Sequence, residues 1–557
     1  VSDSIDHTLR GSWAPSGAGA APLSAHAMRW LRQRIGLSEA PTPAVPPSLI
    51  DVSETALPQV VSSELVALLG ENHVLTETGQ RLGRAGGLSY GDLMRRRGGN
   101  GVAVPDAVVL PADPEQVQRV LELCARHDIA VVPFGGGTSV VGGVSSLRGG
   151  KVAVIVLDLA RLNRLVSVDP VSHVAVLQGG MRAPDAEALL AAHGFTLGHF
   201  PQSFERATIG GFAATRSAGQ ASAGHGRFEG MVEGVRAATP VGEWRLGTAP
   251  ASAAGPDLRQ LAVGGEGALG VITEVALRVR PAPVHSRYEA VVLDGWQVGA
   301  EAVRTLAQSR TLADVTRLSD ADETEVGFEF SGGMKARALR TLLRGRRMHE
   351  PCMLVLGWEA ASRRELDERR DATLRALRRF RPVRLGGKVG ESWRANRFSG
   401  PRQRDTLLDH GVCVETLETA THWAGLSELR SAVRAALLRT LEVDGRTPIV
   451  MCHVSHAYET GASLYFTVLA GRDQQDPLGQ WQRAKQAATD AIVERTPGRA
   501  MGRGTLTHQH AVGTDHQPWL ADEIGSVGVQ VLTAAKKAVD PTGILNPGKL
   551  VDRWQEE

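Results

Sequence analysis

The segment Pro133-Phe134-Gly135-Gly136-Gly137-Thr138-Ser139-Val140-Val141-Gly142-Gly143 follows directly on an apolar, β-branched run. Successive glycines let neighbouring backbone N–H groups turn toward one point and let an anion approach closely. Thr138 and Ser139 add hydroxyl donors, so the segment can cradle a pyrophosphate. A G-x-G-x-x-G fingerprint would need glycine at Val140 with a helix after it, and a P-loop would need Gly-Lys-Ser/Thr; neither occurs. Taken alone, the run also reads as a glycine-rich surface turn.

Three other clusters stand in fixed order around it. One is Pro201-Gln202-Ser203-Phe204-Glu205-Arg206-Ala207-Thr208-Ile209-Gly210-Gly211, followed by Thr215-Arg216-Ser217-Ala218-Gly219. The next is Gly264-Gly265-Glu266-Gly267-Ala268-Leu269-Gly270-Val271-Ile272-Thr273-Glu274. The tail carries Asp540-Pro541-Thr542-Gly543-Ile544-Leu545-Asn546-Pro547-Gly548-Lys549. Proton-handling residues gather later, as His453 and His456 in one strand-like run and His508 and His510 in a loop-like one. Two residues apart, His508 and His510 face the same way on an extended backbone. Either pair could ligate a metal, but no Cys or carboxylate stands with them in a ligand frame, and no metal is expected.

The elements that must position these groups alternate from Pro105 onward. Residues 107–110, 129–133, 152–157, 174–177 and 271–279 read as strands. Asp113-Pro114-Glu115-Gln116 gives an N-cap acid, Pro at the first helical position and Gln three residues after the cap, opening a helix with Val117, Val120, Leu121 and Cys124 on one face. A second helix spans 183–193. Beyond 283, strands are expected at 286–293, 353–358, 412–416, 449–453 and 463–469, between polar helices at 363–379, 426–441 and 478–494. At the start, residues 16–22 and 40–47 read as linkers around a short amphipathic helix at 27–35 that uses Met28, Leu31 and Ile35. The expected organisation is an irregular and helical segment at 1–100, a cofactor domain at 101–283, a substrate-binding cap at 284–530 and a returning tail at 531–557. The fold class is α+β.

Bulk properties exclude several classes. A chain of 557 residues needs more than one core. No apolar run is long enough to span a membrane, and residues 1–15 lack a leader pattern, so a cytoplasmic enzyme is expected. A net charge of +2 gives no reason to expect a nucleic-acid partner. The four cysteines form no C-x-x-C and suit a reducing compartment. Arginines concentrate at 337–384, either to meet an anionic lipid or phosphorylated substrate, or as helix faces paired with Glu365, Asp367, Glu368 and Asp371.

Together the four glycine-bearing motifs resemble the PCMH-type FAD-binding domain of the vanillyl-alcohol-oxidase superfamily. That resemblance implies FAD held non-covalently, with Pro133, Phe134, Gly135, Gly136, Gly137, Thr138 and Ser139 around the pyrophosphate. It implies that Gln202, Ser203, Thr208, Thr215, Arg216, Ser217, Ala218, Glu266, Gly267, Ala268, Leu269, Gly270, Val271 and Ile272 line the adenosine and isoalloxazine portions.

The second half is similar to the alkyldihydroxyacetonephosphate synthase family, through Met451–Phe466, the loop Gly504-Thr505-Leu506-Thr507-His508-Gln509-His510, and Gln403-Arg404-Asp405 with Val414–Ala420. In that family 1-acyl-dihydroxyacetone phosphate exchanges its acyl group for a long-chain alcohol through the flavin N5, without net redox change. The resemblance implies Arg404 as a fork for the phosphate, Tyr465 as a phenol that can serve as both acid and base if its neighbours lower its pKa, His508 and His510 as orienting or proton-moving groups, and Arg317 near the flavin. Arg404 could instead be a salt bridge to Asp405 or Asp409, and Tyr465 a core residue. The partners implied are a lipid-like phosphorylated substrate, contact with a membrane surface and a second copy in a homodimer. Two positions depart from the family: Gln509 replaces a histidine and Gln202 an aspartate. The rival enzyme class, an FAD-linked 2-hydroxyacid oxidase or dehydrogenase, usually carries Gly-Asp-Gly-Asn and Gly-Glu-His-Gly, both absent here.

Overall fold

The computed structural model describes residues 23–37, 41–495 and 502–551; the linker expected at 16–22 and the first residue of the one at 40–47 lie outside them. Two sheets build the cofactor domain. In the first, Val74–Leu75, Ala107–Val109, Ala153–Asp158 and Ile129–Phe134 lie in that order. Its last three strands are parallel and the first is antiparallel to them. Every residue of Ala153–Asp158 is buried, as suits a parallel strand covered on both faces. The helix Pro114–Arg126 packs on this sheet through Val117, Val120, Leu121 and Cys124. Its first turn is fixed locally: Asp113 accepts from the Gln116 N–H at 2.8 Å, and the Gln116 side chain accepts from Ala112 N–H at 2.7 Å.

The second sheet has five antiparallel strands in the order Leu165–Asp169, Val174–Gln178, Val271–Arg278, Val232–Thr239, Gly242–Leu246. The tail returns beside the strand that delivers the glycine loop. Val131 N–H donates to Ile544 O, and Asn546 N–H to Val131 O, each at 2.8 Å.

The cap is one seven-stranded antiparallel sheet. Its order is Val383–Gly386, His285–Asp294, Pro351–Ala360, Val315–Ser319, Ile449–Val454, Gly461–Gly471, Val412–His422. Helices Leu426–Thr440 and Pro477–Val493 share the sheet's core through Leu429, Val433, Leu437, Trp481 and Ala488. Each fully buried Leu or Val contributes about 1.5–3 kcal/mol, so this sheet is a stiff platform.

The described residues before 100 divide between the two domains. Helix Gln59–Leu69 buries Val61, Leu65 and Leu69 in the cofactor domain. Helices Ala25–Ile35 and Tyr90–Gly98 pack Leu31, Ile35, Tyr90 and Leu93 into the cap core. On the first of these, Ala27 is buried with Leu31 and Ile35, while Met28 is only half-buried. Part of the arginine-rich stretch is engaged in ion pairs, with Arg340 on Glu325 and Glu329, Arg364 on Glu368, Arg369 on Asp314, and Arg370 and Arg384 on Glu289.

Candidate active site

The glycine loop opens a cleft. Residues 133–140 line one wall; Ser203, Thr208, Thr215, Ser217, Glu266, Gly267, Gly270 and Ile272 line others; Gln509, His510 and Ala511 form its far end. The loop lies so close to residues 206–208 that a Cβ at Gly136 would come within 2.2 Å of the Arg206 carbonyl oxygen. Gly137 has φ 60°, the left-handed region that glycine tolerates. The backbone N–H groups of Gly136 and Thr138 find no acceptor among the described residues, which leaves them to a bound anion. A dinucleotide pyrophosphate meets those donors, so FAD fits the cleft.

Six residues expected at the cofactor are not among those lining the cleft. Gln202 meets the Gln220 amide at 3.5 Å, and Arg216 donates to the carbonyls of Val263 and Gln260. Ala218, Ala268, Leu269 and Val271 are buried in apolar packing. His199, three residues before Gln202, is enclosed edge-on by Phe212 and Phe228 and bonded to Ser217 at 3.0 Å; burial drives its pKa down to about 3.

One face of the cap sheet supplies the reactive groups. Cross-strand register places His453 opposite Tyr465 and Tyr465 opposite Glu418, three strands in a row. Directly opposed residues point to the same face. The His453 ring stacks on the phenol at 4.8 Å, and His510 meets it edge-on at 5.5 Å. Arg317, at the other end of the row, donates to Glu323 at 2.7 Å and lies 3.0 Å from His453 Nε2, while His453 Nδ1 is 3.0 Å from Glu323. Arg317 therefore holds the histidine that backs Tyr465 and does not line the cleft.

The condition under which Tyr465 would also serve as a base is not met by this geometry. Burial pushes the phenol up to about 12, and the nearby carboxylates of Glu415 and Glu418 push the same way against Thr416 and Arg317. At neutral pH Tyr465 is a proton donor. Burial lowers the pKa of His510, so its imidazole is neutral and can accept a proton.

The histidine loop hangs between two buried carboxylates. Glu418 Oε1 accepts from Thr507 Oγ1 at 2.7 Å, Gln509 N–H at 3.0 Å and His510 N–H at 2.9 Å, and Oε2 accepts from His508 N–H at 2.7 Å. From the cofactor domain, Glu266 accepts from the N–H groups of Val512 at 2.8 Å and Gly513 at 2.7 Å. Within the loop the two histidines part. His510 lines the cleft, whereas His508 turns to Tyr458, 2.7 Å from its hydroxyl, and stacks on His456. His456 in turn lies 2.5 Å from Ser222 Oγ. Among the described residues no group of three or more His, Cys, Asp or Glu is placed to hold a metal ion.

The chain matches the family described as FAD binding domain over residues 105–247 and the family described as FAD linked oxidases, C-terminal domain, over residues 282–550. It is 31% identical to the alkyldihydroxyacetonephosphate synthase of Trypanosoma brucei brucei over 500 residues, covering 88% of this chain and 80% of that protein. The chain belongs to the alkyldihydroxyacetonephosphate synthase family. The synthase of Dictyostelium discoideum is 30% identical over 481 residues, covering 85% of this chain and 77% of that protein. A solved alkyldihydroxyacetonephosphate synthase superposes with a TM-score of 0.78 at 25% identity, covering 94% of this chain and 92% of the other. The protein is thus an FAD-dependent enzyme of this family, with a PCMH-type fold.

Arg404, on helix Gly400–Asp409, pairs with neither Asp405 nor Asp409. Its guanidinium lies 3.7 Å from Glu415, while Asp409 is taken by Arg97. Its Nε is buried without a partner, a donor left over for an anion. Glu418, Glu323 and Tyr458 were not among the expected site residues. The available signal for Glu418 was a pair of carboxylates, Glu415 and Glu418, set in a strand rich in apolar and β-branched residues.

Proposed function

We propose that the protein exchanges the acyl group of a 1-acyl-dihydroxyacetone phosphate for a long-chain alcohol. The observation that carries this reading is the row in which His453 stacks on Tyr465 and His510, at the end of the cofactor cleft, meets that phenol edge-on. Bound FAD would supply the centre that carries the dihydroxyacetone-phosphate carbon between its two oxygen partners. Arg404 would hold the phosphate with its spare guanidinium donor, opposite Glu415. Tyr465 would give a proton to the leaving carboxylate, and neutral His510 would take one from the substrate carbon or the entering alcohol. Gln509, in place of a histidine, cannot move a proton, which leaves that task to its neighbour His510.

Further elements of the reading are non-covalent FAD, a homodimer, a cytoplasmic location and contact with a membrane surface, from which so apolar a substrate would be drawn. No helix among the described residues is long and apolar enough to cross a membrane. The test has two arms: purified holoenzyme with palmitoyl-dihydroxyacetone phosphate and hexadecanol, and the same enzyme with D-lactate and a dye acceptor. Ether product in the first arm supports the proposal. Dye reduction in the second, with no ether in the first, replaces it with a hydroxyacid dehydrogenase.

A further inference from the structure

We infer that Glu418 is the positioning residue that presents His510 to Tyr465 and to the cofactor cleft. It comes from the cap sheet, directly opposite Tyr465, yet all four of its hydrogen bonds go to one segment of the distant loop, residues 507–510. Three consecutive backbone N–H groups pointing at one carboxylate form an anion-binding nest. An ionised carboxylate has lone-pair sites enough for three N–H donors and one hydroxyl, whereas an amide would turn a donor toward one of them.

Both imidazoles also lean toward it, with Nδ1 at 4.0 Å for His508 and 3.9 Å for His510. Burial alone would favour the protonated acid; the imidazoles of His510 and His508 and the four hydrogen bonds outweigh it and hold Glu418 below the ordinary carboxylate range. Burial drives both imidazoles themselves toward the neutral form, and the four hydrogen bonds are the direct contacts that tie the loop to Glu418. Glu418 thus fixes phenol and imidazole in one frame: the strand that carries it sets Tyr465, and its side chain sets His510. It touches the loop backbone, so it acts through His510 and is not itself a proton carrier.

This role rests on the reading of Tyr465 and His510 as the proton-transfer pair, and the test separates the two. Glu418→Gln, Glu418→Asp and Thr507→Val are prepared as FAD-loaded full-length enzymes. Accessibility of each histidine to diethylpyrocarbonate is followed by peptide mass spectrometry, beside kcat and KM for ether formation. In Glu418→Gln, modification of His508 and His510 should quicken about tenfold or more, the scale of losing one charge-assisted hydrogen bond. His199 should react as in the wild type, kcat should fall with little change in KM, and FAD content should hold. Glu418→Asp keeps the charge and should recover part of both effects. Thr507→Val removes one of the four bonds and should shift both readouts in the same direction by less, which decides the matter if Glu418→Gln does not fold. Wild-type modification rates in Glu418→Gln, or in Thr507→Val if only that variant folds, would overturn the inference. If the wild type forms no ether, the modification rates still decide the positioning role while the reaction itself is rejected.

Discussion

Two glutamates hold opposite ends of one loop, and they differ in a way that separates the two domains. Glu418 reaches out from the cap and takes four hydrogen bonds; Glu266 reaches out from the cofactor domain and takes two from the loop. Both are buried. Glu418 is held ionised, whereas burial pushes Glu266 up to about 7 against its two N–H donors and Lys549. Burial prevails at Glu266, whereas at Glu418 the neighbouring imidazoles of His510 and His508 and the four hydrogen bonds outweigh it. The cap end of the loop is therefore fixed across the neutral range, and the end nearest the cofactor cradle titrates within it.

The sharpest break comes from cutting each side separately. Gly136→Ala puts a methyl group 2.2 Å from the Arg206 carbonyl and should yield protein that purifies almost colourless, read as the absorbance ratio near 450 and 280 nm. Tyr465→Phe should keep its full yellow colour and lose about 10²-fold or more in kcat, the usual contribution of a general acid. Equal FAD loss in both variants would erase the division of labour.

Arg404→Lys comes next. A point charge cannot replace the planar fork, so about 1.5–3 kcal/mol of substrate binding should be lost, measured in kcat/KM, with FAD content unchanged. Unchanged kinetics would assign Arg404 to its pairing with Glu415 alone.

The smallest effect is the pH dependence of stability. Glu266 binds its proton more tightly folded than unfolded, so its contribution is fullest below the ordinary glutamate pKa. That contribution is lost as pH rises toward about 7, by about 3 kcal/mol at most. Glu418 has the opposite sign, and its contribution falls away only in acid. Lys549, driven down to about 7 by burial, acts in the separate window above neutrality. Between pH 5 and 7, the melting temperature of wild-type holoenzyme should decline relative to Glu266→Gln. A constant difference would show that Glu266 does not titrate there.

Legibility in the sequence followed the range of the interactions. The Asp113 cap and the helix behind it were readable because cap, proline and apolar face all lie within a dozen residues. Strands such as Ile449–Val454 and Gly461–Gly471 announced themselves by β-branched runs. Leu165–Asp169 did not: Ser167 interrupts its apolar residues Leu165, Val166 and Val168, and none of the five is fully buried. The row His453–Tyr465–Glu418 joins strands whose register is set by tertiary packing, so no local pattern discloses it. For the same reason the residue type leaves the protonation state of Tyr465 open, and only the fold shows the burial and the carboxylates of Glu415 and Glu418 that keep its phenol protonated. His508 and His510 looked equivalent by spacing and are separated by the partner each finds, Tyr458 or the cofactor cleft.

The account's central claim is a redox-neutral exchange performed where the cap sheet meets the cofactor cleft. The most direct measurement is ether formation from palmitoyl-dihydroxyacetone phosphate and labelled hexadecanol under strict anaerobiosis, with no electron acceptor, while the flavin absorbance is recorded. The expected result is many turnovers at the aerobic rate, with the flavin returning to its oxidised spectrum when substrate is exhausted. A flavin that bleaches once and stays reduced, with product only when an acceptor is supplied, would contradict the account and identify the enzyme as an oxidoreductase.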